Sequence, residues 1–374
     1  MLARREMTDI VAFTRARWGA QTSREHPLLH ALARARRVFV IEAPVRDACV
    51  AAAFVEEMRV ADGLVVCVPH LRDDLDEVRA RAALATLVQQ LVDRHAIRAE
   101  ILWVRAAADL AVARCVEPRV VVWDCDDEPF APGERALLAR ADLVLTATHA
   151  SADARRRAHA LVQVMPLIVD ASRHARASAD EWVDPLDQSC IPGPRLGLAA
   201  PIDAHLDVAL LARVADALPE LSVIALGAPR GIDVRALPCR PNIRWLGEKR
   251  DDELPRYIAG WDIGIAPVLT SGGDEPRLAL DVMTSGRPVV AASSRDLGAL
   301  AALSPLARVA DRASFVAAIE AALREPIAEH ARWAESLRAA LTADAACARF
   351  ESWVADARYR ARGARSAELE RSSA

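Results

Sequence analysis

Lysine is nearly absent: of the 48 basic residues in this 374-residue chain only Lys249 is a lysine, and the rest are arginine. A Walker-type phosphate loop and a pyridoxal-phosphate Schiff base each need a lysine amine at a defined place. Both would have to run through Lys249, whose surroundings, LGEKRDDEL, are not glycine-rich, and GxxxxGK occurs nowhere. Cysteines are seven, odd in number, scattered and without a CxxC pair. That argues against a disulfide framework and a zinc site, and for a reducing cytoplasm. No run approaches the ~18–20 uncharged apolar residues of a membrane span. The start, MLARREMTDIVAF, lacks the apolar core of a signal peptide. A net charge of −4 with a pI near 6.2 gives no reason to expect nucleic acid as a partner.

The length suits about two domains, because single cores stop growing near ~250–300 residues. Short β-branched runs recur, each followed by a polar loop and an Ala/Leu/Arg-rich helical stretch, which predicts α/β domains with parallel sheets covered on both faces. The predicted strands of the first half are DIVAF (9–13), RVFVIE (37–42), LVVCV (64–68), EILWV (100–104), RVVVWD (119–124), DLVLTA (142–147) and VQVMP (162–166). From 170 to 194 the chain is polar, proline-bearing and aperiodic, the composition of a linker. Alternation resumes with RLGLAA (195–200), LSVIALG (221–227), NIRWLG (242–247), WDIGIAPV (261–268) and RPVVAAS (287–293). The expected division is an N-terminal domain over 1–180, a C-terminal domain over 181–345, and a final helix and tail over 346–374 that packs back on the first domain. Ligands of doubly wound sheets bind at the carboxyl ends of the strands, so the site is expected in a cleft between the two domains. A stripe of Trp333, Leu337 and Leu341, then Phe350, Trp353 and Val354, predicts a long or kinked helix over about 329–361. The basic tail RARGARSAELERSSA reads as a frayed, solvated end, with contact to anionic lipid at the inner face of a membrane as the alternative.

The segments DIVAFTRARW, RRVFVIEAP, VVVWDCDDEPF with ERALLARADLVLTA, RLGLAAPIDAHLD, ALPELSVIALGAP, PNIRWLGEKRDDELPRYIAGWDIGIAPV and LDVMTSGRPVVAA occur in this order. Together they resemble a bacterial family of GT-B glycosyltransferases similar to glycosyltransferase family 4, over residues 9 to about 293. The resemblance implies a GT-B fold of two Rossmann-like domains. It also implies transfer of a sugar from a nucleoside-diphosphate sugar to a saccharide or lipid-linked saccharide acceptor, in polysaccharide biosynthesis and without a bound metal or cofactor. The C-terminal domain would hold the donor and the N-terminal domain the acceptor.

A departing nucleoside diphosphate develops negative charge, which calls for cations or helix N-terminal amides. After WDIGIAPV the chain reads LTSGGDEPRLALDVMTSG. Ser271, Gly272 and Gly273 form the expected loop, Pro276 suits the first helical turn, and Asp274 or Glu275 caps it. Asp281 stands where the resembling family has a glutamate and is the expected donor ligand and catalytic residue. Leu278 replaces the usual basic residue, with Arg277 one step earlier, about 100° around the helix. Gly273 replaces an upstream acid, and Ala200 and Pro201 stand where a glycine would let backbone approach phosphate.

On the acceptor side, Arg17, Trp18 and Arg24 match the resembling family's pattern, within a loop that also carries Arg15 and His26. The arginines would contact acceptor or phosphate, and Trp18 would stack on a sugar ring. Asp124 ends a strand and would line the same region, as would Asp127, Glu128 and Glu42. Asp124 with Asp126 spells DxD, a metal-binding pattern in a different glycosyltransferase fold but not in this one. The histidines, His149 and His205 among them, show no paired ligand spacing, and Asp203 and Asp207 read as cap and surface. Two readings of the whole stay open: a cytoplasmic GT-B glycosyltransferase, or a non-catalytic GT-B protein that serves a partner glycosyltransferase. A sugar-nucleotide epimerase would need a carboxylate and histidine set that the donor region does not supply.

Overall fold

The computed structural model describes residues 8–18, 25–125, 133–165, 168–169, 183–250, 252–269 and 275–372. The chain forms two compact units, Met1–Ile168 with Ala343–Ala374, and Val169–Thr342.

Unit 1 begins with β1 (Asp9–Phe13), α1 (Glu25–Leu32), β2 (Arg37–Ile41), β3 (Val45–Arg46), β4 (Phe54–Ala61), β5 (Leu64–Leu71) and α2 (Glu77–His95). It continues with β6 (Ala99–Val104), α3 (Ala107–Val112), β7 (Val120–Asp124), α4 (Glu134–Arg140), β8 (Leu143–Thr146), α5 (His149–Arg156) and β9 (Val162–Val164). The sheet order is β3-β5-β2-β1-β6-β7-β8-β9, and β4 adds to β5 as an antiparallel hairpin partner. The central strands DIVAF and VVVWD are buried along their whole length, as parallel strands covered on both faces must be. Alternate residues serve different faces. Ile10, Val38, Val40 and Trp103 pack with Leu28, Leu29 and Leu32 of α1, whereas Val11, Phe39, Leu102 and Val121 pack with Val88 and Leu91 of α2 and Leu137 of α4.

Unit 2 holds α6 (Leu186–Ser189), β10 (Arg195–Ala199), α7 (Val208–Ala217), β11 (Ser222–Leu226), β12 (Ile243–Gly247), α8 (Leu254–Ala259) and β13 (Ile263–Ala266). It closes with α9 (Glu275–Thr284), β14 (Val289–Ala292), α10 (Arg295–Leu303), β15 (Ala307–Ala310), α11 (Phe315–Leu323) and α12 (Ile327–Ala340). Its strands are parallel in the order β12-β11-β10-β13-β14-β15. The last helix, α13 (Ala343–Ser372), belongs to unit 1. Phe350, Val354 and Ala357 enter the core beside Trp103, and Glu100, only 5% exposed, pairs with both Arg36 and Arg358.

Four expectations are corrected. The expected single terminal helix is two, α12 ending at Ala340 and α13 starting at Ala343, and the tail expected to fray is helical through Ser372. Residues 183–194 are not a free linker: Arg195 Nη1 donates to Asp184 Oδ2 at 2.6 Å, and the fully buried Gln188 donates to the Tyr257 carbonyl and accepts from Trp261 Nε1 at 3.0 Å. Residues 170–182 lie outside the described residues. Finally, β3, β4 and β15 are strands that the hydrophobic pattern did not predict. β15 and β3 are short, and Glu56 and Glu57 break the alternation of β4 because it is an edge strand with one exposed side.

Candidate functional site

Each sheet reverses its order once. Unit 1 does so between β1 and β6, unit 2 between β10 and β13. The carboxyl ends at such a reversal leave a crevice where ligands of open α/β sheets bind.

In unit 1 the strand ends deliver a linked set of charges. The residues after β1 include Arg17, whose Nη1 donates to Glu42 Oε2 at 2.6 Å, and Trp18, whose backbone N–H donates to Glu42 Oε1 at 2.6 Å. Glu42 directly follows β2 and is 5% exposed, so both its oxygens are answered where desolvation would otherwise be costly. The Trp18 ring lies 4.2 Å from the ring of His26 in the first turn of α1. Glu25 sits 3.5 Å from Arg105, which directly follows β6 and donates to Asp124 Oδ2 at 2.6 Å at the end of β7. Arg17, Trp18 and Asp124 are thus joined through Glu42, His26, Glu25 and Arg105. Asp124 is fully buried and holds Arg105 in place. Burial, with Arg105 adding to it, lowers the His26 pKa against the opposing pull of Glu25 and Glu42, which keeps the ring neutral at pH 7. Burial raises the Asp109 pKa although the N–H groups of Arg105 and Ala106 donate to it at 2.8 and 2.7 Å. Arg24, Asp126, Asp127 and Glu128 lie outside the described residues.

In unit 2 the crevice is apolar. Gly197 to Ala200 from β10, Gly264 to Ala266 from β13, and Leu278, Ala279 and Val282 from α9 line a depression at the reversal. Leu278 therefore faces the methyl groups and backbone of this depression. The loops on either side are tied together: Asp207 N–H donates to the Pro267 carbonyl at 2.8 Å and Leu269 N–H to the His205 carbonyl at 2.7 Å. Asp207 is a buried N-cap that accepts from Leu210 N–H at 2.9 Å and pairs with Arg312, while Asp203 accepts from His205 N–H. Thus the cap reading of Asp207 holds and the surface reading does not, since it is 3% exposed. At the end of β11, Gly227 has φ +155°, and a Cβ there would sit 1.9 Å from the Ala200 oxygen. The Ala200 carbonyl, in the loop after β10, packs against that glycine and leaves no room for a side chain there. α9 starts at Glu275 and carries the half-buried Asp281 two turns in. Ser271, Gly272, Gly273 and Asp274 lie outside the described residues, as do the side chains of Glu275, Pro276 and Arg277.

Glu25 and Arg105 are site residues without a sequence signal of their own. Their meeting depends on β6 lying between β1 and β7, which chain order does not reveal. Glu42 was visible as a strand-end carboxylate.

No family model matches this chain, and no curated protein aligns with it. Solved structures do match. A trehalose-6-phosphate structure from E. coli, bound with UDP-2-fluoro glucose, superposes with a TM-score of 0.66 over 94% of this chain and 99% of that one, at 12% identity. A UDP-forming alpha,alpha-trehalose-phosphate synthase from Burkholderia xenovorans gives 0.64 over 94% and 99%, at 15% identity. Sucrose-phosphate synthase from Thermosynechococcus elongatus gives 0.58 over 96% and 99%, at 12% identity. The chain has the GT-B fold. In GT-B terms β1 to β9 with α13 form the N-terminal unit, and β10 to β15 the C-terminal one. Among the described residues of this GT-B chain, no group of three or more His, Cys, Asp or Glu side chains could hold a metal, and no helix is long and apolar enough to cross a membrane.

Proposed function

We propose that this chain is a glycosyltransferase that moves a sugar from a nucleoside-diphosphate donor to a saccharide acceptor. The observation that supports it most is the pairing of a GT-B fold along nearly the whole chain with a helix, α9, that opens beside the strand reversal of unit 2 and carries Asp281. In this reading Ser271, Gly272, Gly273 and the α9 N-terminus take the diphosphate, with Arg277 as its cation, and Asp281 accepts hydrogen bonds from donor hydroxyls. A helix N-terminus and an arginine suffice for a diphosphate without lysine. Arg17, Trp18 and Arg24 take the acceptor, with Glu42 holding Arg17 and Asp124 holding Arg105. A uridine diphosphate sugar is the first donor to test, because one of the similar structures is bound with UDP-2-fluoro glucose and another is of a UDP-forming synthase. The finer reading assigns a lipid-linked acceptor in polysaccharide biosynthesis and a cytoplasmic protein peripheral at the inner face of a membrane, with no bound metal or cofactor.

Calorimetry against a panel of nucleotide sugars tests this directly. Binding of one donor is expected, and Asp281→Ala should remove charge-assisted hydrogen bonds of about 1.5–3 kcal/mol, lowering kcat/KM by roughly 10–10²-fold. Silence across the whole panel would favour the second reading, a non-catalytic subunit of another glycosyltransferase. That reading is supported by Leu278, an apolar side chain lining the crevice where the resembling family carries a cation.

A further inference from the structure

Strand β4 has one neighbour, β5, and its other edge pairs with no strand among the described residues. One face of β4 is covered: Val55 packs into the cluster of Leu71, Ala80 and Leu87. The other face is open, with Phe54 47% and Met58 49% exposed, and Val60 37% exposed at the bulge that ends the strand. A long edge with unpaired backbone groups and an apolar face is a template for another strand unless something guards it. The guards here are charges, and they select one occupant, a second copy of this chain.

In a symmetric antiparallel pair the two-fold axis passes one residue, and residues equally spaced on either side of it oppose each other. An axis at Glu57 sets Glu57 against its own copy, and an axis at Arg59 does the same to Arg59. An axis at Met58 sets Glu57 opposite Arg59 twice, brings two exposed Met58 side chains together, and keeps nearly the whole strand paired. Among the described residues Arg59 forms no ion pair, while Glu57 is held by Arg94 and His95 at 2.6 and 2.7 Å. Glu57 is therefore fixed in place before the second copy arrives. We propose that two copies of this chain pair antiparallel along β4 with the two-fold axis at Met58. This is independent of the transferase reading, since β4 lies at the sheet edge and the candidate site lies at β1 and β6.

Sedimentation velocity of the full chain over a concentration series tests the pairing. The unaltered protein is expected to dimerise. Arg59→Glu places like charges opposite each other twice and should weaken the dimer roughly tenfold or more, and Glu57→Lys should do the same. Mixing the two variants restores opposite charges at both positions, so the mixture should dimerise although each alone does not, with far-UV circular dichroism confirming that both are folded. Should Glu57→Lys fail to fold for want of its Arg94 and His95 contacts, Met58→Cys replaces it: oxidation should link two copies through Cys at 58, identified by mass spectrometry. A chain that stays monomeric at all concentrations, or a dimer indifferent to Arg59→Glu, overturns the proposal.

Discussion

Gly197 shows how one missing side chain fixes a core. It lies in the middle of β10, where a Cβ would come within 1.8 Å of Trp261 Cδ2, inside the indole of the strand's neighbour. The indole is 1% exposed, and its N–H is answered by Gln188, so it has nowhere to move. Gly197→Ala should therefore cost about 3 kcal/mol, the upper end of ordinary overpacking. For a unit of this size that lowers the midpoint by roughly 6–12 °C, measurable by calorimetry as a shift of the unit 2 transition. The glycine is visible in RLGLAA, but its reason is 64 positions away in sequence and appears only once β10 and β13 are neighbours. The same holds at the candidate site. Arg17, Trp18, Asp124 and Glu42 could be picked out because each follows or ends a β-branched run. Arg105 and Glu25 could not, because their role comes from strand order.

At the scale of elements, buried parallel strands are legible because both faces demand β-branched residues, whereas β4 is half-solvated and α6 is too short to show a period. What fixes α6 is side-chain chemistry. Asp187 accepts from Lys249 Nζ at 2.7 Å and from the Tyr257 hydroxyl at 2.8 Å, which ties α6 to the loop after β12 and to α8. Burial alone would raise the Asp187 pKa, but these two hydrogen bonds outweigh it and hold the carboxyl below its ordinary value. Burial likewise opposes the Lys249 ammonium, and Asp187 and Tyr257 again win, raising it. A depressed carboxylate contributes stability above its unfolded pKa of about 3.9 and loses it as pH falls through the folded value. A raised amine contributes below about 10.4 and loses it as pH rises through its folded value. Asp187 is 42% exposed, so solvent screens the pair and its worth is about 0.5–1 kcal/mol. Urea unfolding of Asp187→Asn should show that deficit between about pH 5 and 9 and converge on the unaltered protein at either extreme. A deficit that persists at about pH 2 would assign the tie to packing rather than charge.

The whole molecule is organised by a chain that leaves unit 1, builds unit 2, and returns. Sequence order alone suggested a terminal helix that packs back, since Phe350, Trp353 and Val354 form an apolar stripe beyond the last strand. The depth of its engagement was not legible, because Glu100, Arg36 and Arg358 are far apart in sequence and each looks like an ordinary surface charge. Phe350 is fully buried, 5.5 Å from the ring of Trp103, so the first core is completed by residues that follow the whole of unit 2 in sequence. Two consequences separate this arrangement from a helix that merely rests on a complete domain. Phe350→Ala should cost about 3–5 kcal/mol and shift only the unit 1 transition, just as Gly197→Ala shifts only that of unit 2. Removing residues 343–374 should go further: it exposes the apolar face of α1 and the strands behind it, and takes Arg358 from the buried Glu100, leaving it Arg36 alone. The truncated chain is expected to keep a cooperative unit 2 transition while unit 1 loses its own and binds a hydrophobic dye. Two intact transitions in the truncated chain would show that the first core closes without its last helix.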